Sequence, residues 1–401
     1  MRIMNGIFAI EKPSGITSSK FIGDLQYLFT KSKVFEADLI EAKNKVIANL
    51  STDKSWSKQR IEKKANSVKV KIGHGGTLDP LASGVLVIGI GQGTKKLQYY
   101  LGECNKTYET KALLGISTTT GDSEGEILTK NETGHITKSL VNESVVKFVG
   151  DLKQTPPIFS ALKMNGKPLY DYAREGKPLP FPIKTRQVKV TDITVVQDDL
   201  LTLEHEFPKL ESQLDENGEP KENSLFNNPT LNDSPLYFSN QYLEKCEAEG
   251  LPKEAGKPKV TKELPEKLPL IHFVTDVSSG TYIRSLISDI GRSMESSAYM
   301  VELKRLKQSN WHLGKNVFKY DDFKKDEKVW GPVLKEVLDK GYEIDLQELF
   351  QKYSSQAEDS TETDTRAQED TTSTLPDSTG DQSSESELGA KEKKRTIDQV
   401  E

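Results

Sequence analysis

Gly73–Gly84 reads GHGGTLDPLASG, with four glycines and one proline in twelve residues, and runs directly into VLVIGI at 85–90. Glycine admits backbone angles closed to other residues and proline fixes its own, so this density prescribes one tightly specified loop. The apolar run behind it has the length of a buried strand. Within the loop stand one histidine, His74, and one carboxylate, Asp79. Asp before Pro is an ordinary turn pair, so the loop alone does not make Asp79 a reactive group.

Working outward, Gly6–Glu11 (GIFAIE) predicts a short strand. Phe21, Leu25, Leu28 and Phe29 recur at helical spacing behind the cap candidates Thr17 and Ser18. Lys106–Leu114, Gln187–Val195 and Leu270–Val277 alternate like strands. Helical pattern returns at 139–149, at 168–175 between Pro168 and the stop Gly176, and at 281–291. These elements lack the regular alternation of a doubly wound sheet, so the fold class predicted is α+β with a mixed sheet. Gly89–Gly93 (GIGQG) has the wrong spacing for a nucleotide loop and predicts a strand-to-helix turn with Thr94 as cap. Asp321 and Asp322 predict another helix cap.

Charge is unevenly spread over the 401 residues, whose net is −6. Residues 351–401 hold 13 acids, 6 bases and 16 Ser/Thr, too few apolar groups to offset chain entropy, and are expected to be a disordered acidic tail. Residues 197–268 hold 16 acids against 8 bases and interrupt the strand series like an insertion. What remains is basic, and residues 31–71 alone carry 11 bases against 5 acids. A basic body suits a polyanionic partner, though a lysine-rich surface is also simply a solvated one. No stretch approaches the length of a membrane helix, two cysteines make no disulfide framework, and the five histidines lack metal-ligand spacing. The first residues do not have the form of a secretory signal, and a secreted, membrane-spanning or zinc-clipped protein is not expected.

Three further segments bear on Asp79. Gly280-Thr281-Tyr282-Ile283-Arg284 sets an aromatic and a cation two residues apart at a strand-to-helix junction. Lys106-Thr107-Tyr108 does the same on a strand, where i and i+2 share a face. QTPPIFSALKMNG at 154–166 is too rich in Pro, Gly and aromatic residues for a plain connector.

Taken in order, KPSGITS at 12–18, GHGGTLDPLASG, KTY at 106–108, GDSEGE at 121–126, QTPPIFSALKMNGKPLYDYAREG at 154–176, GTYIRSL at 280–286 and Leu303-Lys304-Arg305-Leu306 resemble the TruB family of tRNA pseudouridine-55 synthases, most nearly its eukaryotic branch. The resemblance covers most of residues 6–196 and 269–315. It implies the pseudouridine synthase fold, a largely antiparallel central sheet flanked by helices. The catalytic domain would comprise 1–196 and 269–350, with 31–71 as a basic insertion and 197–268 as an acidic one. Gly75 departs from the family, which usually has threonine there. No RNA-binding PUA module is recognisable after residue 315.

The implied reaction breaks an N-glycosidic bond, rotates the uracil and rejoins it through carbon 5, which needs no redox step, cofactor or metal. By this resemblance Asp79 is the nucleophile and Arg284 pairs with it. Tyr108 stacks on the uracil and assists proton transfer, while Tyr282 and Leu303 wall the pocket. His74 helps hold the flipped nucleotide. The basic charge of the patterned part suits RNA electrostatically, with Lys12, Lys106 and the bases of 31–71 as candidate phosphate contacts. The implied partner is tRNA, bound through its T-arm by a monomer acting without guide RNA. Extrusion of the base costs a few kcal/mol, which aromatic stacking of about 1–3 kcal/mol per base helps offset. Two other readings share these motifs: a guide-RNA-dependent synthase subunit, and an RNA-binding or tRNA-folding protein on the same scaffold. The family's eukaryotic members imply nucleus and mitochondrion as locations, the cytoplasm remaining open. Lys391–Arg395 (KEKKR) is a candidate import signal.

Overall fold

Thr17 caps the first helix, as its place before the Phe21, Leu25, Phe29 stripe predicts: its side chain accepts a hydrogen bond from the Lys20 amide. The computed structural model describes residues 3–196 and 228–369, with side chains to residue 358. The chain runs through β1 (Gly6–Lys12), α1 (Ser18–Lys31), α2 (Glu36–Ser51), α3 (Lys58–Asn66), β2 (Ile72–His74), β3 (Ser83–Ile90), α4 (Leu97–Gly102) and β4 (Lys106–Leu114). Then come β5 (Ile116–Thr118), β6 (Ile127–Lys130), α5 (Lys138–Val146), β7 (Gly150–Gln154), β8 (Lys163–Met164), β9 (Lys167–Pro168), α6 (Leu169–Arg174) and β10 (Arg186–Val195). After residue 228 follow α7 (Asn240–Glu249), β11 (Leu270–Val277), α8 (Ile283–Ser293), β12 (Ala298–Gln308), β13 (Trp311–His312), α9 (Glu327–Lys340) and α10 (Leu346–Glu369).

Nine strands make the main sheet, in the order β1-β3-β12-β4-β11-β10-β7, with β2 beside β3 and β13 beside β12. The β3–β12 pair is parallel and the other pairs of that sheet are antiparallel. This is the mixed, largely antiparallel α+β arrangement predicted. The predicted strands and helices lie within a few residues of their expected limits. Two local expectations shift. Residues 91–96 form a short 3-10 helix with Thr94 inside it, not as its cap. At the Asp321-Asp322 pair it is Asp322 that caps, accepting from the Lys319 amide at 2.8 Å.

The parallel contact depends on Gly84. Its φ is +99°, and a Cβ there would lie 2.3 Å from the carbonyl oxygen of Arg305, the residue opposite it on β12. Both the backbone angle and the approach exclude a side chain. Gly84→Ala is therefore expected to destabilise the protein by at least about 2 kcal/mol, read as a lower denaturation midpoint in urea at unchanged slope. A midpoint equal to wild type would contradict this account of the β3–β12 contact.

The two largest hydrophobic cores among the described residues lie against the sheet. One gathers Phe8, Phe29, Phe318, Trp330 and Val333 around β1, β3, α1 and α9. The other gathers Phe148, Ile271, Phe273, Leu286 and Ile290 around β4, β11, α5 and α8. The glycine-rich loop lies at their seam: Val85–Ile88 enter the first, Leu78 and Ala82 the second.

The two expected insertions are folded where they are described. Residues 31–71 form α2 and α3, with Phe35 and Val70 in the first core and Ile61 and Ala65 buried. From 197–268, residues 197–227 lie outside the described residues, but Phe238 packs on Phe148 with ring centroids 5.6 Å apart, and Cys246 and Leu268 are buried. A few well-placed apolar groups anchor a segment whose mean composition is acidic.

Two compact units result, Met1–Ser354 and Ser355–Glu401. The expectation of disorder from residue 351 needs correction. Leu346, Leu349, Phe350 and Tyr353 form one apolar face of α10 that packs on the first core, and the Tyr353 hydroxyl donates to Glu336 Oε2 at 2.9 Å. Of the second unit, residues 355–369 are described and are helical. Residues 370–401, including Lys391–Arg395, lie outside the described residues.

Candidate active site

The loop bearing Asp79 connects β2 to β3 and is held by the segment that follows β1. Ser18 Oγ donates to the Leu78 carbonyl at 2.8 Å and accepts from the Leu78 amide at 3.0 Å. The Gly15 amide donates to the Pro80 carbonyl, and Ser14 Oγ to that of Leu81. The KPSGITS stretch is thus a cradle for the loop, every contact falling on backbone atoms. Asp79 itself keeps its carboxylate free for side-chain chemistry, with its side chain 32% exposed.

Lys12 belongs to this cradle rather than to an RNA-facing surface. It is fully buried, and its Nζ donates to the carbonyls of Pro13 (2.8 Å), Ile16 (2.7 Å) and Pro80 (3.3 Å). Burial pulls its pKa down to about 8, with Arg305 adding to the fall and Asp79 and Glu124 opposing it. A lysine bound less readily by protons in the folded state makes the protein less stable below about pH 8, and that cost is relieved as the pH rises towards the unfolded value near 10.5. Wild type is accordingly expected to gain stability between pH 7.5 and 9.5 relative to Lys12→Met, which lacks the titrating group. Urea unfolding of both proteins across that range checks it, and parallel curves would refute it.

Arg284 sits in the first turn of α8, the residue before the helix being Tyr282. Gln154, buried at the end of β7, clamps that entry: its Oε1 accepts from the Tyr282 amide at 2.8 Å and its Nε2 donates to the Tyr282 carbonyl at 3.1 Å. Arg284 is 4% exposed, and its Nε lies 2.9 Å from Asp79 Oδ2. The other two nitrogens donate to the carbonyls of Thr120 (2.8 Å) and Phe159 (2.6 Å). Burial opposes its charge, but Asp79 and Asp122 outweigh this and raise its pKa. Three chain segments, at Asp79, at Thr120–Asp122 and at Phe159, thus converge on one planar cation, a geometry suited to guanidinium and not to ammonium.

Asp122 is a site residue that sequence reasoning did not single out. It is buried in the 121–126 turn, with Oδ2 3.6 Å from Arg284 and Oδ1 accepting from Thr120 Oγ1 and the Glu124 amide. Burial pushes its carboxyl up and Arg284 pulls it back down. Glu124 is likewise raised by burial, then by Asp122 and Asp79. Three carboxylates therefore share the neighbourhood of Arg284 and Lys12. GDSEGE has the composition of a solvated turn, and only the fold brings Asp122 inward.

The opposite wall is built by β4 and β12. In the ladder Tyr108 faces Arg305, Thr110 faces Leu303 and Lys106 faces Gln308, and residues directly opposite share a face. Tyr108 and Leu303 are both buried here, whereas Tyr282 is half-buried. Arg305 was also missed, because a charged residue in VELKRLKQ reads as surface. It is 1% exposed, and no carboxylate lies within ion-pair distance of it among the described residues. Its Nε donates to Val85, one terminal nitrogen to Gly76 and the other to the Tyr108 hydroxyl at 3.4 Å, with the guanidinium 6.0 Å from the Tyr108 ring centre. Arg305 thereby ties Tyr108, the loop and β3 into one body.

Lys106, expected to meet phosphate, is instead buried with its Nζ donating to the Cys104 carbonyl at 3.1 Å, and burial lowers its pKa. His74 is half-buried on β2, its Nδ1 enclosed without a partner, and burial lowers its pKa too. At the family departure, a Cβ on Gly75 would lie 2.5 Å from the Cβ of Tyr100. Glycine here makes room for that tyrosine.

The model of one protein family, TruB family pseudouridylate synthase (N terminal domain), matches residues 60–209. The chain is 50% identical over 366 residues to tRNA pseudouridine synthase 4 of Saccharomyces cerevisiae, covering 87% of this chain and 88% of that one. It is 36% identical over 371 residues to tRNA pseudouridine synthase 4 of Schizosaccharomyces pombe, covering 85% and 86%. Among solved structures it is similar to a Cbf5-Nop10-Gar1 complex at 18% identity with a TM-score of 0.41, spanning 87% of this chain and 59% of that one. Two relatives matched above 30% identity along nearly their whole length decide the matter: the chain belongs to the TruB family of pseudouridylate synthases.

Proposed function

We propose that this protein is a tRNA pseudouridine synthase that acts without guide RNA on uridine 55 in the T-loop. The observation that carries the reading is the Asp79–Arg284 pair: a partly exposed carboxylate held at 2.9 Å by a buried guanidinium, itself fixed by two carbonyls and a second carboxylate. In this reading Asp79 attacks the substrate nucleotide and carries negative charge into the reaction without a metal. Arg284 fixes the orientation of that carboxylate through a charge-assisted hydrogen bond. Tyr108, immobilised by Arg305, offers its ring to the extruded uracil, and Tyr282 at the mouth of α8 closes the pocket. Glycosidic cleavage frees the base, rotation brings carbon 5 to the ribose, and once the new carbon–carbon bond forms the carbon 5 proton leaves to solvent, N1 gains a proton, and Asp79 is released unchanged. Names of relatives with 50% and 36% identity along most of their length support tRNA as the substrate.

The test is incubation of the purified chain alone with an unmodified tRNA transcript, followed by nucleotide-resolution mapping of pseudouridine. One modified position, in the T-loop, is expected. Modification that requires an added guide RNA, or none by a protein that still binds tRNA, would favour the other readings of this scaffold.

A further inference from the structure

The lead-in to the catalytic loop carries a charged surface that the site does not use. Residues 54–71 contain seven bases, Lys54, Lys58, Arg60, Lys63, Lys64, Lys69 and Lys71, against the single acid Glu62. All seven are exposed, and none is within ion-pair distance of a carboxylate among the described residues. Helix α3 explains why they stay outside. Its Ile61 and Ala65, one turn apart, are buried, which turns Arg60, Lys63 and Lys64 together onto an outer face. Glu62 falls on the other flank, nearer Lys58, so that face carries no opposing charge. Behind it the chain is rigidly held: the Val70 amide donates to Thr30 Oγ1, the Val70 carbonyl accepts from Gln26, and the Lys71 carbonyl accepts from the Gly91 amide. Helix α2 differs. It mixes Glu36, Asp38 and Glu41 with its lysines, and Lys45 pairs with Glu41.

We propose that the Arg60–Lys63–Lys64 face of α3, continued by Lys69 and Lys71, docks the phosphate backbone of the substrate RNA away from the uridine being isomerised. The proposal rests on the reading that this chain modifies RNA. It assigns RNA docking to one part of the 31–71 insertion and withholds it from α2. Like charges held unpaired on one helix face repel one another unless a polyanion lies across them, and phosphate supplies that charge without demanding shape. RNA is favoured over an acidic protein because its phosphate charge repeats along a chain long enough to span both places: Lys71 leads into β2, whose Ile72 pairs with Ile90 at the end of β3 away from the loop that bears Asp79.

The test compares wild type with Arg60→Gln/Lys63→Gln/Lys64→Gln, with Lys69→Gln/Lys71→Gln, and with the α2 control Lys43→Gln/Lys45→Gln. Affinity for a full-length tRNA transcript is measured between 50 and 250 mM salt, alongside the single-turnover rate at saturating enzyme. The triple variant is expected to bind about tenfold or more weakly at low salt. Its slope of log Kd against log salt should fall by about 2, each lost phosphate contact removing roughly 0.7–0.9. Its saturating rate should match wild type, the double variant should show a smaller change of the same kind, and the α2 control none. An unchanged Kd and slope in triple and double variants of normal thermal stability would overturn the proposal, as would an equal loss in the α2 control. Should the triple variant fail to fold, the Lys69/Lys71 pair on the extended lead-in decides alone. If instead wild type binds RNA but modifies none, the assignment of the reaction fails while the docking surface stands.

Discussion

Asp79→Asn is expected to leave a folded protein that binds tRNA nearly as well as wild type and forms almost no product, with single-turnover rates down about 10⁴-fold or more. Such a loss corresponds to about 5 kcal/mol of barrier. Asparagine is nearly isosteric, and the loop does not depend on the carboxylate for its shape, since Ser18, Gly15 and Ser14 hold it through Leu78, Pro80 and Leu81 backbone atoms. Arg284 keeps the Thr120 and Phe159 carbonyls and Asp122 when the charge at 79 is gone. The measurement is single-turnover pseudouridine formation with Kd determined separately. Product formation near the wild-type rate would remove Asp79 from the chemistry.

Arg284 should show the second large effect, and its two replacements separate charge from geometry. Lysine keeps the charge but cannot reach Asp79 Oδ2 and both carbonyls from one planar group. Arg284→Lys is expected to lower kcat by an order of magnitude or more with little change in tRNA affinity, because a misplaced carboxylate costs about 1.4 kcal/mol per tenfold. A weaker Kd with an unchanged single-turnover rate would instead make Arg284 a phosphate contact. Arg284→Met should also cost about 3–5 kcal/mol of stability, since it strands buried Asp122 without its cation. Burial already raises that carboxyl, and without Arg284 it rises further. A carboxyl raised in the folded state stabilises below its unfolded pKa and loses that contribution as the pH rises through the folded value. The stability deficit of Arg284→Met should therefore widen as the pH rises above the ordinary carboxyl range, read from urea unfolding of both proteins.

Much of this was legible in the sequence, for reasons that can be named. Lys106–Leu114 alternates over most of its length, and both it and Leu270–Val277 are strands with the expected limits. The glycines and proline of GHGGTLDPLASG forced a loop, and the resemblance placed its carboxylate opposite Arg284. What escaped was charge that the fold buries. Lys12 and Lys106 read as surface cations because composition carries no information on burial, yet backbone carbonyls enclose both ammonium groups. Strand β12 escaped for the same reason. Its charged residues masked a central strand, and Arg305 meets Tyr108 only through a register that no local pattern encodes. In 351–354 the composition of the whole tail outweighed Tyr353, which packs at its start on the first core.

The most direct measurement is tritium release from a tRNA transcript labelled at carbon 5 of its uridines, treated with the purified chain alone. Isomerisation replaces the carbon 5–hydrogen bond by the carbon–ribose bond, so each conversion frees one label. The account predicts release to one equivalent per tRNA, lost when the T-loop uridine is replaced by cytidine and lost again with Asp79→Asn. Release that persists after the uridine replacement, or no release from a folded protein that binds the transcript, would contradict it.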